Sequence, residues 1–124
     1  MARRDTPAAP ETCDPPHSAS ALPPLDGSPA ALERATRLFR ALGDEGRLRL
    51  LTRLATAPAC VTDLAEAEGE SLPTISQRIR VLRNERLVTR RRNGQHITYA
   101  LADDHVVAIV RAAIDHAAET RQPT

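Results

Sequence analysis

Leu87-Val88-Thr89-Arg90-Arg91-Arg92, then Asn93-Gly94, then Gln95-His96-Ile97-Thr98-Tyr99-Ala100-Leu101 is a stretch that reads as strand, tight turn and strand. Asn-Gly is the preferred dipeptide of a two-residue hairpin, because both central positions of such a turn require positive φ. Three arginines then stand beside the hairpin tip, placed to reach the backbone or minor groove of DNA. A plain solvated hairpin has the same local pattern. What precedes it decides between them.

Upstream, a short helix is expected over about Val61 to Glu68, followed by Gly69 and a turn. Ser71 or Leu72 opens another helix, with Pro73 in its first turn, running to about Asn84. Ile75, Ile79 and Leu82 are its buried positions; Thr74, Ser76, Gln77, Arg78 and Arg80 are its polar ones. Two helices joined by a tight turn, the second rich in Ser, Thr, Gln and Arg, suggest a helix-turn-helix. Such side chains can hydrogen-bond base edges, while arginines also neutralise phosphate. Helix pairs of this kind also occur as plain packing, but here the basic hairpin follows directly. The expected architecture is mainly α with one β-hairpin: a winged helix-turn-helix. Its DNA-facing candidates are Ser71, Thr74, Ser76, Gln77, Arg78 and Arg80 on the helix, and Arg90, Arg91, Arg92 and Asn93 in the wing.

Residues 1–27 hold six of the ten prolines and cannot bury enough apolar surface to fold alone, so they are expected to be a disordered tail. Ser28-Pro29 reads as N-cap and first helical position. A first helix follows, with Ala31, Leu32, Ala35, Leu38, Phe39 and Leu42 on one face, ending at Gly43. Asp44 caps a second helix through about Ala57, with Leu48, Leu50, Leu51 and Leu54 inward. The domain is expected to span residues 28–121.

Length and composition set the bounds. A chain of 124 residues allows one small domain, and with one Phe, one Tyr and no Trp its core must be built from Leu, Ala, Val and Ile. The net charge of +1 hides an asymmetry: seven arginines and one acid lie between Arg78 and Arg92, four acids and no base between Asp63 and Glu70. A basic block on a near-neutral chain suggests a directed anionic partner. No apolar run approaches a membrane span and no signal-peptide core precedes the domain, so a cytoplasmic location is expected. Two cysteines, Cys13 and Cys60, are too few for a disulfide scaffold.

The last long segment, Asp103 to Glu119, carries a second kind of chemistry. Val106, Ile109, Val110, Ala113, Ile114 and Ala117 recur at amphipathic helical spacing, and Asp103 or Asp104 is a suitable N-cap. His105, His116 and Glu119 fall beside that stripe within an arc of about 60°. Eleven residues separate the histidines, about 16 Å of helical rise. Zinc needs its donors about 2 Å from one point. A second, antiparallel copy of the helix solves the problem, bringing Asp103 and His105 of one subunit to His116 and Glu119 of the other. The bland alternative is that Asp103 only caps the helix and the histidines are ordinary interface residues. Two imidazoles and two carboxylates make a tetrahedral set suited to zinc or cobalt. Four protein ligands leave no open position for an activated water, and no nucleophile–base constellation is evident, so an enzyme is not expected.

With helices, reading helix, wing and last helix in order, the chain from about residue 29 to 119 resembles the ArsR/SmtB family of metal-responsive repressors. The resemblance rests on Leu82-Arg83-Asn84-Glu85-Arg86-Leu87-Val88, on Arg91-Arg92-Asn93-Gly94-Gln95-His96, and on Asp103-x-His105 followed by His116-x-x-Glu119. It is strongest to the zinc-sensing, SmtB-like members. It implies a homodimer held by the first and last helices, an imperfect inverted-repeat operator bound by the metal-free dimer, and release by zinc. It implies a second site from Cys13 and His17 in the tail with Cys60 and Asp63 at the third helix. It further implies that His116 links the metal site to backbone near Arg86. Thr62 stands where the cadmium-, lead- and arsenic-type sensors carry a second thiol, and no histidine follows Glu119 as in nickel sensors with His-rich tails. Alternatives are a sensor of cobalt, cadmium or nickel, a thiol-redox repressor using Cys13 and Cys60, and a dimeric interaction module that never binds DNA.

Overall fold

A computed structural model of the chain describes residues 22–119. Cys13 and His17 lie outside the described residues. The order is α1 (Pro29–Leu42), α2 (Glu45–Thr56), α3 (Val61–Glu68), α4 (Leu72–Asn84), β1 (Val88–Asn93), β2 (His96–Leu101) and α5 (Asp104–Glu119). This is the winged helix-turn-helix the sequence predicts, α3 and α4 forming the helix pair and β1–β2 the wing. No helix among the described residues is long and apolar enough to cross a membrane.

Side chains start four of the five helices. Ser28 Oγ accepts the Ala31 N–H at 3.2 Å, with Pro29 opening α1. Asp44 Oδ2 accepts from Arg47 at 2.9 Å, Ser71 Oγ from Thr74 at 3.3 Å and Asp103 Oδ1 from Val106 at 3.0 Å. Each bond satisfies one of the N–H groups a helix leaves unpaired at its start. The exception is α3, whose N-cap Cys60 makes no capping hydrogen bond. Ahead of α1, Asp26 accepts the Ser28 N–H at 3.0 Å, and these bonds to Ser28 hold its carboxyl below the ordinary value.

Two helix ends use left-handed residues. Gly69 closes α3 at φ 66°, a conformation open to glycine at little cost. Arg86 does the same after α4 at φ 61°, where Leu87 N–H reaches Leu82 C=O and Arg86 N–H reaches Arg83 C=O, both at 2.9 Å. That is a Schellman closure with arginine where glycine is usual. Its hydrophobic contact is provided by Leu82 and Leu87, both fully buried.

The wing differs from expectation in its turn. Asn93 pairs with His96, and the two turn residues are Gly94 and Gln95 rather than Asn93 and Gly94. Only Gly94 takes positive φ, the pattern of a turn with glycine at its first central position. Burial decides the register: Val88 lies opposite Leu101, both in the core, whereas a turn one residue earlier would set Val88 opposite Tyr99. At the root, Ala59 N–H donates to Tyr99 C=O at 3.1 Å and Tyr99 N–H to Ala59 C=O at 2.8 Å, bridging the α2–α3 connection to β2.

The core comprises Leu50 and Leu51 of α2, Leu64 of α3, Ile75, Ile79 and Leu82 of α4, Leu87 and Val88, and Val106 and Val110 of α5. Each such side chain contributes about 1.5–3 kcal/mol on burial. Leu48, expected inward, is half-buried. Across the α2–α3 corner, the Glu68 carboxylate is 3% exposed and pairs with Arg49 Nε at 3.1 Å and with Arg53 Nε. The outer helices are different. In α1 only Ala41 is buried, while Leu32 and Phe39 are exposed, Phe39 by 63%; on α5, Ala113 and Ile114 are exposed as well. These apolar faces exceed what one chain can cover.

Candidate DNA interface and metal-ligand positions

The free face of α4 follows from its core face. With Ile75, Ile79 and Leu82 turned inward, Pro73, Ser76, Gln77, Arg80, Arg83 and Asn84 remain exposed at the three-and-four spacing of one helical stripe. Ser76, Gln77 and Arg80 of the expected set stand on it. Arg83 extends the stripe and was missed by a reading based on polar composition; its spacing from Ser76 and Arg80 was the available signal.

The other candidates on α4 are occupied. Ser71 Oγ both accepts from Thr74 N–H and donates to Thr74 Oγ1 at 3.0 Å, so the pair builds the helix cap. Arg78 turns back onto the domain: its Nη2 faces Glu70 Oε2 at 3.4 Å, and a Cβ at position 46 would come within 2.6 Å of its Cζ. Gly46 makes room for that guanidinium.

In the wing, Arg90, Arg91, Arg92 and Asn93 are all exposed. Cross-strand register separates them: Arg90 opposes Tyr99 and Arg92 opposes Ile97 on one face, while Arg91 opposes Thr98 on the other. The three arginines therefore do not form a single patch.

At α5, Asp103 and His105 stand at the helix start and His116 and Glu119 at its end, all exposed. Asp103 Oδ1 lies 3.9 Å from His105 Nδ1, and His105 is 95% exposed. Asp103 is therefore a cap and a neighbour of His105 at once. Among the described residues no group of three or more His, Cys, Asp or Glu side chains is drawn together as a metal site. Asp103, His105, Arg86, Glu85, Arg34 and Arg37 line one hollow between α1, α5 and the end of α4. Arg37 Nε faces Glu85 Oε1 there at 3.7 Å. Among the described residues, no hydrogen bond joins His116 to the backbone near Arg86.

Cys60 and Asp63 open α3 and line a groove shared with Gln95, His96 and Tyr99 of the wing. The Cys60 thiol is free and half-buried. His96, a further donor type in this groove, comes beside Cys60 where the Ala59–Tyr99 bridge joins the start of α3 to the wing.

Comparison with known proteins settles the family. Residues 44–90, covering α2 to the start of the wing, match the bacterial regulatory protein family arsR. A transcriptional repressor SmtB homolog of Synechocystis is 42% identical over 88 residues, 71% of this chain and 67% of that protein. The chain belongs to the ArsR/SmtB family. Another family relative, the HTH-type transcriptional regulator NmtR of Mycobacterium tuberculosis, is 44% identical over 93 residues, 75% of this chain and 76% of its own. The homodimeric winged helix-turn-helix DNA-binding domain of a possible ArsR-family regulator from Mycobacterium bovis superposes with a TM-score of 0.71 at 31% identity, covering 73% of this chain and 84% of that one. ArsR/SmtB relatives also include a cadmium resistance regulatory protein, the CadC homolog of Staphylococcus aureus, at 32% identity over 67% of this chain and 69% of its own. Family membership thus brings transcriptional regulation and does not by itself select a metal.

Proposed function

We propose that this chain is a zinc-responsive transcriptional repressor whose metal-free homodimer binds an imperfect inverted-repeat operator and whose zinc-loaded form releases it. The observation that carries the reading is the layout of α5. Asp103 and His105 at one end and His116 and Glu119 at the other are too far apart to share an ion within one helix, yet lie on a helix whose apolar Ala113 and Ile114 remain exposed. Pairing α5 antiparallel with its copy covers these residues together with Leu32 and Phe39, and completes two four-donor sets. The residues fit the ion: all four side chains are exposed, and Asp103 and His105 are already neighbours.

The link to DNA follows from the same arrangement. His116 of the partner subunit would come to the hollow that Arg86 lines at the end of α4, and its second ring nitrogen would donate to backbone near Arg86. A hydrogen bond of that kind orients a ligand and carries a conformational bias. Coupling is reciprocal, so operator DNA weakens zinc binding by the factor that zinc weakens operator binding.

Cys60 and Asp63, with Cys13 and His17, supply a second metal site. Its support is narrower: α3 begins without a capping bond from Cys60, which leaves that side chain uncommitted to the helix start. Cobalt, cadmium and nickel are competing ligands for either site. The test is operator affinity of the full-length chain, using its own upstream region, with zinc, cobalt, cadmium or nickel added in turn. Release by zinc at the lowest free concentration is expected; affinity unchanged by saturating zinc removes the zinc-sensor reading.

A further inference from the structure

The reading helix α4 carries two arginines two residues apart, and the fold treats them oppositely. Arg78 is drawn back over Gly46 towards Glu70. Arg80 stands on the exposed stripe, and its Nη1 donates to Gln77 Oε1 at 2.8 Å, from one turn further along the helix. An exposed arginine otherwise samples many rotamers; this bond removes part of that freedom before any partner arrives. It consumes one of the five guanidinium N–H donors and leaves the other four, on an exposed planar group, for a partner.

The geometry points to Arg80 as a reader of guanine in each operator half-site, with Gln77 as its positioning residue. The inference rests on the DNA-binding reading above and adds base identity to it. Two parallel donors match the O6 and N7 acceptors that guanine presents in the major groove. Adenine offers one acceptor and one donor there, thymine one acceptor and cytosine a donor. Gln77 is the weaker base reader of the two: bidentate recognition of adenine needs its carbonyl oxygen, which Arg80 already engages. Ser76 and Gln77 precede Arg80 by one turn, nearer the helix start that a docked reading helix turns to base edges, and the Arg80 side chain reaches back to Gln77 at that level, whereas the wing arginines lie on a separate element.

Selection of randomised duplexes by the full-length chain, followed by anisotropy titrations with 7-deazaguanine at each guanine of the selected half-site, tests this. The wild type should select a guanine whose loss of N7 costs about tenfold or more in affinity. Arg80→Ala should accept all four bases at that position while still selecting at others. Gln77→Ala should shrink the guanine-to-adenine ratio, and Gln77→Glu, which keeps an acceptor for Arg80, should restore it. Arg80→Ala lowering affinity for every duplex alike would make Arg80 a phosphate contact and overturn the inference. A ratio unchanged in Gln77→Ala would overturn the role of Gln77. Failure of the wild type to retain any duplex would instead overturn the DNA-binding reading itself.

Discussion

The carboxylate of Asp103 lies 3.9 Å from the imidazole of His105 while also accepting the Val106 N–H that starts α5. One side chain thus has a structural duty and a candidate ligand duty, and the two can be separated. Asparagine caps a helix about as well as aspartate but lacks the charge. Asp103→Asn should therefore keep thermal stability within about 0.5 kcal/mol while weakening zinc binding and zinc-dependent release. Asp103→Ala should lose about 1 kcal/mol as well. Calorimetric melting beside zinc titration distinguishes the two; zinc affinity undiminished in both variants would leave Asp103 as a cap alone.

Combining His105→Ala with His116→Ala should preserve operator affinity and abolish release by zinc, because both imidazoles are exposed and support no core contact. Gel-shift titration with and without zinc reads this directly. Full zinc responsiveness in the double variant would transfer regulation to the Cys60 site.

Arg86 holds a left-handed backbone that side chains with a Cβ adopt at a cost of about 1–2 kcal/mol. Arg86→Gly should leave stability unchanged or raise it by up to about 1 kcal/mol, whereas β-branched Arg86→Val should lower it by about 1 kcal/mol or more. Urea midpoints check the pair, and equal midpoints would show that the strain is relieved elsewhere.

Glu68 joins α3 to α2 through Arg49 and Arg53, with its own carboxylate almost fully covered. Because both arginines remain partly exposed, Glu68→Ala should cost only about 1–2 kcal/mol. Loss of less than about 0.3 kcal/mol in a denaturation experiment would show the pairing to be energetically idle.

Arg91→Ala should weaken operator binding and reduce the slope of log affinity against log salt by about one if this wing residue contacts phosphate. An unchanged slope would place Arg91 away from the backbone.

Much of the fold was legible because helix starts and ends announce themselves chemically. Ser28 and Asp44 act as the caps their positions suggest, Asp103 rather than Asp104 caps α5, and Ile75, Ile79 and Leu82 are buried at the expected spacing, whereas Ser71, expected among the DNA contacts, caps α4. The local preference of Asn-Gly points to a wing turn one residue earlier than the observed one, whereas register is decided by Val88 meeting Leu101 in the core. Polar composition could not reveal that Arg78 folds back over Gly46 while Arg80 stays outward, because that depends on how closely α2 approaches α4. The spacing of His105 and His116 along α5 is legible in the sequence, whereas the antiparallel copy that would bring Asp103 and His105 to His116 and Glu119 is a feature of two chains and not of one fold.

The paired hydrogen bonds between Ala59 and Tyr99 give the wing the mechanics of a cantilever. An isolated two-stranded ribbon is marginal in water, but here its root is clamped on one side by a third segment and on the other by Val88 and Leu101 in the core. Arg90 faces the clamped Tyr99, whereas Arg91 and Arg92 stand further out towards the turn at Gly94, so the basic side chains run from the fixed base of the beam to its free span.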